Sequence, residues 1–239
     1  MTPYLWQILQ DGKNSWRDPT TGIALLGPPL LTLAFRWGIP WVDTWLRSSY
    51  SFDLTPYHLW ILGLYLLLIP MMIGMVAGFL LLDERDEGIL LYYRVTPLSE
   101  TGHLLRRLGF PMILSFLFTI GGATFIHFTS VSFIKLLLCT FLASLTAPFL
   151  ALLLAAFADN KVEGIALSKI ASSIFILPIA VTFLAPQWRW LSAILPPYWA
   201  VETLMIHHAF PFAIFFLMGL MDHLLVIYWL TRRLEKRVS

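Results

Sequence analysis

Four side chains in the last third of the chain are of types that do chemistry: His207, His208, Asp222 and His223. A zinc site on one helix face needs ligands at i and i+4, as in His-Glu-x-x-His. The sequence holds no such pattern, nor a Gly-x-Gly-Asp of the intramembrane aspartyl type. His207 and His208 are adjacent, so on a helix they diverge by about 100° and do not easily share a metal. They read as interfacial residues. A phosphate-binding loop needs Gly-x-x-x-x-Gly-Lys-Ser/Thr. The one Gly-Lys pair is Gly12-Lys13, with Gln7 in place of the first glycine and Asn14 in place of the hydroxyl. No catalytic residue, metal site or bound cofactor is assigned to this chain. Cys139, the one cysteine, lies in an apolar run and reads as a small buried hydrophobe.

Asp222 falls in the apolar stretch Phe210–Leu230, ten residues before Arg232, which places it near the middle of a bilayer. An acid there costs about 2.5–3.5 kcal/mol on insertion scales and marks a functional-site hypothesis. Asp222, with His223 beside it, is thus an intramembrane polar site with open alternatives. One is a structural bond to Ser168, Ser172 or Thr182, and another is proton-coupled transport. An intramembrane enzyme is the third class.

The densest chemistry is charge. "LLDERDEGILLYYRVTPLSETGHLLRRLG", residues Leu81 to Gly109, holds five acids and four arginines in a chain that is 13% charged. Asp83 to Arg94 contains good helix formers, and Leu90, Leu91 and Tyr93 continue an apolar stripe past the acids. A helix is expected through Asp83–Arg94. Glu87 has no lysine four residues on, so pairing along the helix does not explain it. Thr96-Pro97 breaks the helix, and Ser99 is a natural N-cap with Glu100 in the first turn. The expected product is a helix–turn–helix elbow whose apolar groups, ringed by charge, suit docking of a soluble partner.

The elements that must position these groups are helices in lipid. Of the 239 residues, 58% are hydrophobic and the mean hydropathy is +0.76, more apolar surface than a soluble domain of this size hides. The fold class expected is all-α and integral to the membrane, as one domain over residues 1–239. Six stretches are long enough to cross: Thr21–Trp37, Leu59–Leu82, Phe110–His127, Leu136–Phe157, Ile165–Leu184 and Phe210–Leu230. Gly27-Pro28-Pro29 should kink the first or start it late. Met1 to Thr20 reads as an amphipathic helix on the membrane surface rather than a cleaved signal. With both termini in the cytoplasm, twelve Lys/Arg lie inside against four outside, so the charged elbow is cytoplasmic. Gly74 and Gly78 form a small-x-x-x-small pair suited to close helix contact. The net charge of +2, without a basic stripe, argues against nucleic acid.

"DERDEGILLYYRVTPLS" resembles the segment between the second and third helices of type-2 ABC transporter permeases. "KNSWRDPTTGIALLGPPLL" resembles the Arg-Asp-Pro segment leading into that family's first helix. "DNKVEGIALSKI" and "LPPYWAVE" resemble its fourth-to-fifth connection and its outer loop before helix 6. The four follow in order over nearly the whole chain, closest to the fluoroquinolone-export branch.

The resemblance implies a permease subunit of an ATP-driven exporter in a bacterial inner membrane, paired with a second permease, the same or different. Two separate ATPase subunits would drive it. The coupling helix would lie in Asp83–Ser99, with Asp83, Glu84, Arg85, Asp86, Glu87, Gly88, Tyr92, Arg94, Thr96 and Pro97 as ATPase-coupling residues. Asp159, Lys161 and Glu163 would make a smaller second contact. Short helices within Pro186–His208 would cap the exit. Helices 2 and 5 would line the cargo path, making Met71, Met72, Met75, Phe79, Ile174, Ile176 and Phe183 candidate contacts for a hydrophobic or amphipathic cargo.

Overall fold

A computed structural model describes residues 19–89, 100–127, 131–184, 186–189 and 192–238. The expected surface helix, Met1 to Thr20, lies almost wholly outside these residues. So do Tyr92, Arg94, Thr96, Pro97 and Ser99 of the elbow.

The described elements are all helical. α1 (Pro19–Leu33) passes through Pro28 and Pro29, then continues by a π-helical turn (Ala34–Gly38) into α2 (Ile39–Tyr50). The double proline does not stop the helix. Thr32 donates to the Pro28 carbonyl at 2.8 Å and shares a second hydroxyl contact of 2.8 Å with Tyr65. A short 3-10 turn (Thr55–Tyr57) leads into α3 (His58–Asp86), and α4 (Glu100–Ile126) returns. α5 (Phe133–Ser144) and α6 (Thr146–Phe157) follow, then α7 (Lys161–Ala180) with a 3-10 end (Val181–Phe183). The short α8 (Pro186–Arg189) and α9 (Pro196–Met205) precede α10 (Ala209–Val238), in the places expected for outer helices.

Five segments are long and apolar enough to cross a membrane: Thr55–Asp86, Arg107–Ile126, Phe133–Phe157, Lys161–Phe183 and Ala209–Arg237. They match the second to sixth expected crossings. The fourth is jointed at Leu145 because Pro148 has no N–H for the Ser144 carbonyl. The Ser115 hydroxyl, which donates to the Met112 carbonyl at 2.9 Å, lies 3.4 Å from the freed Ser144 carbonyl.

α3 is the axis of the bundle and packs against α1, α4, α6, α7 and α9. A Cβ added at Gly74 would lie 2.7 Å from the Ala147 carbonyl oxygen and 2.9 Å from its Cα. One at Gly78 would lie 2.8 Å from Leu154 and 3.2 Å from the Ala151 Cα. Small residues on both helices therefore bring the α3 and α6 backbones into contact, as the Gly-x-x-x-Gly spacing predicts. α6 is apolar all round and accordingly buried along nearly its full length.

The core has two parts. One joins Tyr65, Leu66 and Ile69 of α3 to Leu142 of α5 and to Tyr198, Trp199 and Leu204 of α9. The other joins Leu81 and Leu82 to Phe149, Leu150 and Leu154 of α6, Phe175 of α7, and Leu230 and Leu234 of α10. α9 dips into the bundle, since Gly219 of α10 leaves room for Trp199, whose Cβ is 2.4 Å from where a glycine Cβ would stand.

One expectation is overturned. α3 does not run on to Arg94 but ends at Asp86. The Glu87 N–H bonds the Asp83 carbonyl at 2.9 Å, the Gly88 N–H bonds the Arg85 carbonyl at 3.0 Å, and Gly88 turns left-handed with φ of +73°. Glycine just past a helix end adopts that conformation without a Cβ clash, so Gly88 is a stop signal, not an interior residue.

Candidate functional site: the charged end of the bundle

α3 delivers Asp83, Glu84, Arg85 and Asp86 in its last turn, beside the C-terminal end of α6 and the start of α7. α6 ends with carbonyls that have no partner within the helix and with the negative pole of its dipole. Arg85 fills that need. Its Nη1 donates to the Ala155 and Ala158 carbonyls at 2.8 and 2.6 Å, and its Nη2 to the Asp159 carbonyl at 3.0 Å. The same guanidinium pairs with Asp86 at 2.8 Å, and only 10% of the side chain is exposed. Arg237 of α10 adds a bond to the Ala156 carbonyl at 2.9 Å and an ion pair with Asp159.

The acids on either side of Arg85 tie in further helices. Asp83 pairs with Lys161 of α7 at 2.8 Å, and Glu84 pairs with Arg107 of α4 at 2.6 Å. The turn into α7 is set by reciprocal caps. Asn160 accepts from the Glu163 N–H at 3.0 Å, while the Glu163 carboxylate accepts from the Asp159 N–H at 2.6 Å. This resembles a capping box moved back by one residue.

The described part of the expected coupling segment Asp83–Ser99 and the expected second contact, Asp159–Glu163, are therefore neighbours, joined by Asp83–Lys161 and by Arg85 to Asp159. Glu84 and Arg85 turn toward their own bundle, whereas Glu87 is exposed at the turn. Arg107 and Arg237 complete the cluster. Their charge was visible in the sequence, but their partners lie too far along the chain for any spacing to reveal.

The expected cargo contacts separate. Met71, Met75 and Phe79, four apart along α3, pack beside the Phe149–Phe175 part of the core. Met72 points elsewhere, its Cε standing where a Cβ on Gly27 of α1 would be. Ile174 and Ile176 are exposed and lie two apart on α7, hence on different faces. Phe183 stacks on Trp60 at 5.3 Å between ring centroids.

Asp222 and His223 sit inside α10. Ser168, Ser172 and Thr182 do not bond Asp222, because each donates to a carbonyl of its own stretch of chain: Ile165 at 2.8 Å, Ser168 at 2.7 Å and Ile179 at 2.6 Å. The expected structural bond is thus replaced by self-satisfied hydroxyls. Asp222 lies beside the Trp199 indole, and its Oδ2 is buried without a hydrogen-bond partner among the described residues. His223 is fully buried, with Nδ1 2.8 Å from the Gly219 carbonyl and Nε2 unpartnered. His207 and His208 are exposed ahead of α10.

At the opposite end, Lys135 donates to the Ile206 carbonyl at 2.6 Å and Arg36 to the Ile126 carbonyl at 3.0 Å, capping α9 and α4. Burial pushes the Glu202 carboxyl above its ordinary range, opposed by Arg189 at 3.9 Å.

The family model described as "Fluoroquinolones export permease protein Rv2686c-like" matches residues 11–231. Two relatives are the fluoroquinolones export permease protein Rv2686c of Mycobacterium tuberculosis (strain ATCC 25618 / H37Rv) and its counterpart MT2760 of strain CDC 1551 / Oshkosh. Each is 26% identical over 199 residues, covering 82% of this chain and 79% of the relative. No solved structure matches. Helices of membrane-crossing length and a match over almost the whole sequence agree on a multi-pass membrane permease, and the chain belongs to the Rv2686c-like fluoroquinolones export permease family.

Proposed function

We propose that this chain is the transmembrane subunit of an ATP-driven exporter of the ABC class. It would work in a bacterial inner membrane with both termini in the cytoplasm. The helical run Pro19–Gly38 supplies the sixth crossing in this reading. A separate ATPase subunit, carrying ATP and Mg, engages the charged end, and a second permease, of the same or another chain, completes the pathway.

The observation that carries the reading is the clustering of Asp83–Gly88 with Asp159–Glu163. A partner pressing on that surface presses at once on the ends of α3, α4, α6, α7 and α10, because Arg85, Glu84, Asp83 and Arg237 bind them together. Exposed Glu87, rather than inward-turned Glu84 and Arg85, is the charge available for docking. Motion delivered there would shift α3 and α7 in alternating access. The relatives' names suggest a fluoroquinolone-like cargo, and the methionine and aromatic residues along α3 suit a hydrophobic or amphipathic molecule.

Co-expression with a candidate ABC ATPase subunit from the same genome tests the reading. The two chains should co-purify, and Glu87→Lys should weaken the complex while leaving the permease folded. Full-strength association by Glu87→Lys, Asp86→Lys and Lys161→Glu chains alike would place the docking surface elsewhere.

The unpartnered Oδ2 of Asp222 favours a second reading, proton-coupled transport. Inside-out vesicles separate the two. Export driven by ATP with the proton gradient collapsed supports the first, and export by a gradient without ATP supports the second.

A further inference from the structure

Among the arginines whose side chains are described at the charged end, four hold a carboxylate: Arg85 with Asp86, Arg107 with Glu84, Arg232 with Glu235 and Arg237 with Asp159. Arg233 is the exception. Among the described residues its guanidinium makes no ion pair or hydrogen bond. It lies over aromatic rings, 4.1 Å from the Phe157 centroid and 6.0 Å from that of Trp229, and the two rings are themselves 6.0 Å apart. Ring stacking of this kind holds the cation in place without neutralising it.

The stacked cation opens into a cleft of about 460 Å³ between the end of α6 and the last turns of α10. Ala156, Phe157, Asp159, Arg233, Lys236 and Arg237 line it, so cations outnumber the acid three to one. The α6 carbonyls, which would repel an anion there, are already covered by Arg85 and Arg237.

Toward the membrane the same face of α10 is apolar. Met221, Leu225 and Trp229 precede Arg233 at four-residue intervals, forming one stripe, and all three are exposed. A cationic cleft is thus continuous with an apolar track, and an aromatic ring stands at the junction, where membrane proteins place tryptophan at the headgroup level.

The geometry points to a binding site for an anionic phospholipid, with the phosphate of its headgroup at Arg233 in the basic cleft and an acyl chain along Trp229, Leu225 and Met221. A phosphate-bearing anion with a long apolar tail satisfies both halves, whereas a free phosphate satisfies one. Basic clefts between helices at the membrane surface take such headgroups. The site needs only that α10 crosses the membrane, and it stands independently of any ATPase partner.

The test is native mass spectrometry of the full-length chain, purified in mild detergent, stripped of lipid and offered phosphatidylglycerol, cardiolipin or phosphatidylcholine. The anionic lipids should be retained in preference, a readout that needs no variant. Arg233→Gln should reduce that preference roughly fivefold, from the typical contribution of a basic residue near a membrane surface. Arg232→Gln, which removes a cation already held by Glu235, should change it little.

Equal retention of all three lipids would overturn the assignment, as would equal losses for Arg232→Gln and Arg233→Gln. Displacement of bound lipid by millimolar inorganic phosphate would reduce the cleft to a free-anion site and sink the lipid reading. Loss of ATPase association by Arg233→Gln with lipid retention unchanged would make it a protein contact instead.

Discussion

Arg85 donates to the main chain of Asp159, 74 residues further on, at 3.0 Å, and so fastens the last turn of α3 to the linker between α6 and α7. The bond requires a guanidinium, because three carbonyls and one carboxylate are reached from two nitrogens in fixed geometry. Arg85→Ala removes all of these and exposes the α6 terminus, and hydrogen bonds from charged groups are worth about 1.5–3 kcal/mol each when lost at a part-buried site. The expected loss is about 2–4 kcal/mol, read as a lower midpoint in thermal unfolding in detergent. Arg85→Lys should recover only part of it.

Gly74 gives a second expectation. Its added Cβ would meet backbone atoms of Ala147, which cannot swing aside as a side-chain tip can. Gly74→Ala should therefore destabilise by about 1–3 kcal/mol, the usual cost of overpacking. Gly109→Ala is the matched control, since nothing lies within 4 Å of a Cβ there. Equal midpoints for the two variants would contradict the close α3–α6 contact.

At the far end, Arg47 clamps the α2 terminus. It bonds Asp43 at 3.1 Å and Asp53 at 2.6 Å, while Asp43 also accepts from the Leu54 N–H at 3.0 Å. The Arg47 hydrogen bond first, then the Leu54 N–H, holds Asp43 below its ordinary value of 3.8. The Thr55 N–H first, then its hydroxyl, does the same for Asp53. A carboxyl with a lowered folded pKa contributes stability that is complete above the unfolded value and vanishes as pH falls through the folded one. Asp43→Asn should thus lower the unfolding midpoint at neutral pH and leave it equal to wild type once the pH is well below 3.8. A difference that persists unchanged in acid would remove the clamp from the account.

Asp222→Asn keeps the shape of the side chain and removes its titration. For an ATP-driven exporter, the dependence of transport rate on pH should be the same in variant and wild type. A flattened profile in the variant would move the mechanism toward proton coupling.

Much of the architecture is legible in the sequence because lipid imposes it. Apolar runs of fixed length gave the second to sixth crossings, and the Gly74/Gly78 spacing located the tight helix contact. The Ser115 hydroxyl beside the joint at Leu145 belongs to another helix, and no spacing reveals it. The helix end at Gly88 was misjudged because the apolar residues after it resemble a continuing stripe. A single glycine with the Asp83 and Arg85 carbonyls behind it outweighs that pattern. Within the charged cluster, residue types announced a working surface, but not which charges face outward. That depends on which helix ends meet, and only the folded chain brings Arg107 to Glu84 or Arg237 to Ala156.

The glycine-on-alanine seam also decides how this bundle is able to deform. With Gly74 against the Ala147 backbone and Gly78 against Ala151 and the Leu154 side chain, α3 and α6 meet with almost no side-chain cushion between them. α7 rests on its neighbours along a strip only one residue wide: Gly164, Ser168, Ala171, Phe175 and Pro178. A helix seated on so narrow a strip would give way before the close-packed α3–α6 pair comes apart.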